Sequence, residues 1–148
     1  MPRLGPADAP NVLIVDDNPP DVYLIRQALE SAGVRAQVYV VHDGEAAIHF
    51  FEEAEANTGA PCPHLVILDV NMPRLTGHEV LRDMRNRERC KDARVLVLSS
   101  TQRPGERQAL EELGVDAFFT KPSDFEEFMK LGIAVRTVLK GTAASGSA

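Results

Sequence analysis

Chemically useful side chains stand directly behind apolar runs in this chain. Asp16 and Asp17 follow the run at 12–15, Asp69 follows 65–68, Ser99 follows 95–98, and Lys121 follows the weaker run at 117–120. Carboxylates confined together repel, and one of them keeps its proton unless a cation neutralises the set. Oxygen-only ligands with room for water and a phosphate oxygen describe Mg²⁺, which takes one or two carboxylates and retains several waters. An ionised carboxylate beside such an ion can attack phosphorus and form an aspartyl phosphate. Transfer then rests on positioning and on neutralising the oxygens of the moving group. Lys121 offers charge for that purpose and Ser99 a hydrogen-bond donor.

This chemistry works only if distant residues converge, so the elements that carry them matter. The runs VLIV at 12–15, VYVV at 38–41, LVIL at 65–68 and VLVL at 95–98 are continuous and rich in β-branched residues, as strands buried on both faces are. AFFT at 117–120 makes a fifth. Between them lie helical patterns. The first places Val22, Ile25, Leu29 and Ala32 on one stripe after Pro19 and Pro20, with Gly33 as the stop. Helices are also expected over 46–56 with Ala47, Phe50, Phe51 and Ala54, over 79–89 with Val80, Leu81 and Met84, over 105–113 closed by Gly114, and from about 123 to 139. Alternating βα units predict an α/β fold, a doubly wound five-stranded parallel sheet with helices on both faces and right-handed crossovers. In such a sheet the residues just past the strands' carboxyl ends collect in one crevice.

At 148 residues the chain suits one domain, here read as a flexible N-terminus at 1–10, a domain at 11–140 and a small, polar, flexible tail at 141–148. A net charge of −6 argues against direct contact with nucleic acid, which needs clustered Lys and Arg. No apolar run approaches the ~20 residues of a membrane span, and residues 1–10 lack a signal-peptide core, so a cytoplasmic protein with no membrane contact is expected. Cys62 and Cys90 are too few for a disulfide framework and read as incidental thiols in a reducing cytoplasm. His42, His49, His64 and His78 share no i, i+4 face and read as surface or boundary residues. The turn-rich stretch 57–63 reads as a surface loop or a helix extension.

VLIVDD at 12–17, LVILDVNMP at 65–73 with Gly77 following, VLVLS at 95–99 and TKP at 120–122 together resemble the receiver domain of response regulators, and the likeness covers 11 to about 139. The resemblance implies a flavodoxin-like sheet of order 2-1-3-4-5. It also implies that Asp69 accepts a phosphoryl group from a sensor histidine kinase. Asp17, Asp69 and the backbone carbonyl of Asn71 would ligate Mg²⁺, with Asp16 holding it through water. Ser99 and Lys121 would bind the phosphate, and Asn71 and Thr101 would tune the lifetime of the adduct. The Lys121–Pro122 bond is cis in that family, a form otherwise found in only ~5% of such bonds. Ser99 stands where the family often has Thr, and keeps the hydroxyl. Phe118 stands where its switching aromatic is often Tyr, and can swing inward without burying a hydroxyl. DDNPPD at 16–21, residues 44–51, the lengthened loop before the third strand and KPSDF at 121–125 are most similar to the small response regulators associated with bacterial and cyanobacterial phytochromes. That likeness implies a phytochrome-type histidine kinase or phosphatase as partner.

Nine residues follow Leu139, too few for an output domain, so a signal is expected to leave through the surface of this one. The last helix carries an apolar arc wider than one core-facing stripe, from Phe125 and Phe128 to Val138 and Leu139, and a homodimer through it is the preferred reading. Four other functions compete. A phosphorelay intermediate and a phosphate sink would have the same residues. An Mg²⁺-dependent phosphohydrolase would need a second acid where Asn71 stands. A degenerate module that never meets phosphate would have no reason to keep Asp16, Asp17, Asp69, Ser99 and Lys121. The chain is therefore expected to label itself and not to act as a turning-over enzyme.

Overall fold

A computed structural model describes residues 9–56, 61–72, 75–100 and 104–147, with the side chains of 104 and 142–147 excepted. Each apolar run is a strand in it: β1 (Asn11–Val15), β2 (Gln37–Val41), β3 (Leu65–Asp69), β4 (Arg94–Ser99) and β5 (Ala117–Thr120). They alternate with α1 (Pro19–Ser31), α2 (Gly44–Glu55), α3 (Gly77–Arg85), α4 (Pro104–Glu112) and α5 (Phe125–Ser147). The sheet has the order β2-β1-β3-β4-β5, and every neighbouring pair is parallel.

Alternation along the central strands divides the core in two. Leu13, Val15, Val66, Leu68, Val95 and Val97 face one way, onto Phe51 of α2, Leu81 and Met84 of α3 and Leu110 of α4. Val12, Ile14, Leu65, Ile67, Leu96 and Leu98 face the other, onto Ile25 and Leu29 of α1 and Phe128, Leu131 and Val135 of α5. Both faces are therefore buried, which is why these strands read as unbroken apolar runs. Gly132 lets α5 approach α1 closely, since a Cβ there would collide with the Ala28 carbonyl oxygen.

Short polar caps start the helices soon after the strands end. Asn18 accepts a hydrogen bond from the Asp21 N–H, Asp43 accepts one from Ala46, and Thr76 forms a reciprocal capping box with Glu79. Gly33 and Gly114 close α1 and α4 at φ of 73° and 86°, where side-chain-bearing residues are strained.

Several expectations need correction. Cys62 and Cys90 are not incidental thiols: they form a disulfide with Cα atoms 5.2 Å apart. Helix α3 stops at Arg85 and not at 89, because Asn86 caps it and the Arg85 side chain turns to bond carbonyls of neighbouring loops. Helix α5 starts two residues late, at Phe125, and continues to Ser147 through the stretch read from composition as a tail. Residues 61–63 are neither helix nor strand, which leaves the loop reading of that end of 57–63; 57–60 lie outside the described residues.

Candidate functional site

The parallel sheet brings its carboxyl ends to one edge, where backbone hydrogen bonds stitch the strand exits together. Asp16 N–H donates to the Val41 carbonyl at 3.1 Å, Val70 N–H to Leu98 at 3.1 Å, and Lys121 N–H to Ser99 at 2.8 Å. The side chains leaving these points are the polar residues singled out above. Asp16, Asp69 and Ser99 are the buried polar or charged residues of the described chain, whereas Asp17 is exposed. One carboxylate oxygen from each of Asp16, Asp17 and Asp69 lies within 4.8 Å of the other two.

Lys121 reaches into this cluster from the end of β5. Its Nζ lies 3.3 Å from Asp69 Oδ2, 3.4 Å from Asp16 Oδ2 and 2.7 Å from Asp21 Oδ2. Burial alone would lower the Lys121 pKa, but the hydrogen bond to Asp21 and the charges of Asp69 and Asp16 outweigh it and raise the pKa. Asp16 moves to about 6, chiefly through burial and further through the charge of Asp69, against the lowering effects of the Asn18 N–H and Lys121. One ammonium thus does not quench the cluster, and a second cation is electrostatically favoured there.

Asn71 crosses to the next loop. Its N–H donates to Asp69 Oδ1 at 2.9 Å, while its side-chain oxygen accepts from the Ser100 N–H at 2.9 Å and the Ser99 hydroxyl at 3.4 Å. It therefore fixes one Asp69 oxygen and ties the β3 exit to the β4 exit. Phe118, on β5, packs one side against the α2–α3–α4 core, and the Arg107 guanidinium lies 4.2 Å from its ring centroid. Thr101 lies outside the described residues. The Lys121–Pro122 bond is trans, in contrast to the cis bond implied by resemblance.

Asp21 was not singled out as a site residue by the sequence, yet it makes the shortest contact to Lys121. The available signal was its place in the first turn of α1, after Asn18 and two prolines, which aims it back at the β1 exit. His42, His49 and His64 are exposed and His78 is partly buried, away from the carboxylate cluster.

The oxygen-only donor set and the unquenched charge fit a hard divalent cation such as Mg²⁺. No helix among the described residues is long and apolar enough to cross a membrane.

Comparison with known proteins agrees with this geometry. The family model described as "Response regulator receiver domain" matches residues 12–131. Response regulator Rcp1 of Synechocystis sp. is 28% identical over 120 residues, 81% of this chain and 82% of that protein. Among solved structures, the phosphorylated cyanobacterial phytochrome response regulator RcpA superposes with a TM-score of 0.77 at 27% identity, covering 86% of this chain and 91% of that one. The Mn²⁺-bound form of Rcp1 gives 0.76 at 26% identity, with 86% and 92% covered. The bacteriophytochrome response regulator AtBRR gives 0.69 at 31% identity, with 88% and 94% covered. With a flavodoxin-like sheet, an acidic cluster at its carboxyl edge and this match over most of its length, the chain belongs to the response regulator receiver domain family.

Proposed function

We propose that this chain accepts a phosphoryl group on Asp69 from the phosphohistidine of a phytochrome-type sensor histidine kinase. The observation that carries the reading is a buried Asp69 held between Lys121 at 3.3 Å and the Asn71 N–H at 2.9 Å, with Asp16 and Asp17 beside it. Asp16, Asp17 and Asp69 would hold Mg²⁺, joined by the Asn71 carbonyl. The bound ion would supply positive charge to the phosphoryl oxygens.

The Asn71 N–H occupies Asp69 Oδ1, so Oδ2, the oxygen facing Lys121, is the nucleophile. A bond forms from it to phosphorus as the phosphorus–nitrogen bond breaks, and the departing imidazole takes its proton from solvent. Lys121 then pairs with a phosphoryl oxygen in place of the Asp69 carboxylate, and the Ser99 hydroxyl donates to another. Ser99 is tied through Asn71 to the β4–α4 loop, so recruiting its hydroxyl pulls on that loop and provides the conformational output. Phe118 follows inward as Arg107 releases its outer face.

The protein labels itself and turns over no external phosphate ester. It works in the cytoplasm, without nucleic acid, through protein contacts. Most of the α5 apolar arc is covered by α1 and the sheet, but Phe125 and Ile133 stay 54% and 52% exposed, and these are the residues proposed for a homodimer. Sedimentation at micromolar concentration tests that interface; a monomer throughout rejects it.

Incubation with acetyl phosphate and Mg²⁺, followed by intact mass, tests the central claim. One phosphate adduct is expected on the native chain and none on Asp69→Asn or with the metal chelated. An adduct that persists in Asp69→Asn rejects the assignment.

A further inference from the structure

At the opposite edge of the sheet, the Cys62–Cys90 bond joins the loop entering β3 to the loop entering β4. Its two sulfurs have different surroundings. Cys90 is buried, and its segment is held by contacts that do not involve sulfur. The N–H groups of Arg89 and Cys90 both donate to Glu55 Oε2 at 2.8 Å, and the Arg85 guanidinium donates to the carbonyls of Lys91 at 2.6 Å and Ala93 at 2.7 Å. Cys62 is only half-buried, lies between two prolines, and borders an open depression of about 240 Å³ that Cys90, Arg89, Asp92 and Arg94 also line.

We infer that Cys62–Cys90 is a thiol–disulfide exchange site, opened by a dithiol reductant that enters at Cys62 and closed again by exchange with an oxidising disulfide, which leaves as two thiols. Exchange goes to the sulfur that a thiolate can reach. Here that is Cys62, which is half-buried where Cys90 is buried. The attacking thiolate bonds to Cys62 Sγ and expels Cys90 as a thiolate, giving a mixed disulfide. The reductant's second thiolate then attacks its own bonded sulfur and releases Cys62. The protein gains two electrons and, from solvent, two protons; the reductant becomes a disulfide.

The asymmetry also explains why the pair can close again. Glu55 and Arg85 keep the Cys90 segment in place after the bond opens, so Cys62 is the partner that moves and returns. Opening thus frees the segment at Cys62, while His64, at the entry to β3, stays bonded to Asn11 and Arg94 and the Cys90 segment stays tied. This site is independent of the phosphoryl reading, and its test needs no phosphate.

The full chain, purified without reductant, is titrated with dithiothreitol in native buffer, pulse-alkylated and mapped by mass spectrometry, with circular dichroism recorded alongside. Reduction is expected with the folded spectrum retained, and Cys62 is expected to alkylate at least about ten-fold faster than Cys90. Removing the reductant and adding oxidised glutathione should restore the bond. With Cys90→Ser, Cys62 should form a mixed disulfide with glutathione; with Cys62→Ser, Cys90 should resist. Three outcomes overturn the inference: two free thiols in the protein as purified, reduction only in denaturant, or faster capture at Cys90. The alkylation order on the native chain decides the matter even if either variant fails to fold.

Discussion

The two edges of the sheet handle polarity in opposite ways. At the amino edge of β3 and β4, most polar groups satisfy one another, with the buried Asn11 Oδ1 of neighbouring β1 an exception among the described residues. Arg85 donates to the carbonyls of Lys91, Ala93, Leu113 and Gly114; Glu55 accepts two backbone N–H groups; Asp116 pairs with Arg94 and accepts the Val95 N–H. The disulfide adds a covalent tie. At the carboxyl edge, Asp16, Asp21 and Asp69 surround one ammonium, and Asp17 stands beside them. A satisfied network rigidifies a fold, whereas an unbalanced one leaves a demand for an outside ligand. Apart from its disulfide, the first edge is built for stability, and the second is built to take an outside ligand.

Removing Lys121 should break this contrast most severely. Lys121→Ala leaves three neighbouring carboxylates without their shared partner, a loss of about 3–5 kcal/mol by analogy with broken buried pairs. Phosphoryl incorporation should fall ~10²–10³-fold, as when a charge-stabilising donor is deleted. Urea melts with and without Mg²⁺, and the time course of adduct formation, measure both. Mg²⁺ should restore part of the stability and little of the rate. An unchanged melt in chelator would mean that the carboxylates do not need Lys121, and the imbalance at this edge would be illusory.

Legibility in the sequence follows the same division. The fold and the carboxyl edge could be read because parallel topology turns strand ends into neighbours: Asp16, Asp69, Ser99 and Lys121 needed only strand boundaries to be placed together. Asp21 was harder, because its role depends on the turn of α1 that aims it at Lys121. The amino edge was nearly invisible. Cys62 and Cys90 are 28 residues apart in loops, and no periodicity reports how two loops approach. Arg85 could not be distinguished from an ordinary charge at a helix end until the carbonyls around it were positioned. Contacts between side chains and irregular backbone leave no pattern in a single sequence, while strand and helix periods do.

The disulfide should sharpen the comparison from the other side. Cys62→Ser with Cys90→Ser should lower stability by about 2–4 kcal/mol, as expected for opening a loop of this size. The Mg²⁺ concentration that half-saturates the protein should stay the same, because the proposed metal ligands lie at the opposite ends of the strands. Calorimetric or fluorescence titration beside urea melts separates the two effects. A large change in Mg²⁺ affinity would show that the edges are coupled through β3 and β4, and the division of labour between them would fail.

The smallest effect concerns Asp16, and its sign is opposite to that of a carboxylate whose pKa is lowered by an ion pair. Its pKa in the folded chain is raised from 3.8 to about 6, mainly by burial. Between these values the folded protein holds a proton that the unfolded chain has released, so stability falls as pH rises. The favourable contribution is complete below about pH 4, is lost through pH 6, and changes no further above that. At about 1.4 kcal/mol per pH unit, the ionised Asp16 then burdens the metal-free fold by about 2–3 kcal/mol. Asp16→Asn should remove the burden: in chelator it should match the native protein at pH 4 and exceed it by that amount at pH 7.5. With saturating Mg²⁺ the order should shrink or reverse, because the ionised carboxylate then has a cation to face and the amide does not. Urea melts of both proteins at the two pH values, with and without Mg²⁺, give the difference directly. If Asp16→Asn is no more stable than the native chain at pH 7.5 without metal, burial is not straining this carboxylate, and the pull on a divalent cation must come from Asp69 and Asp17 alone.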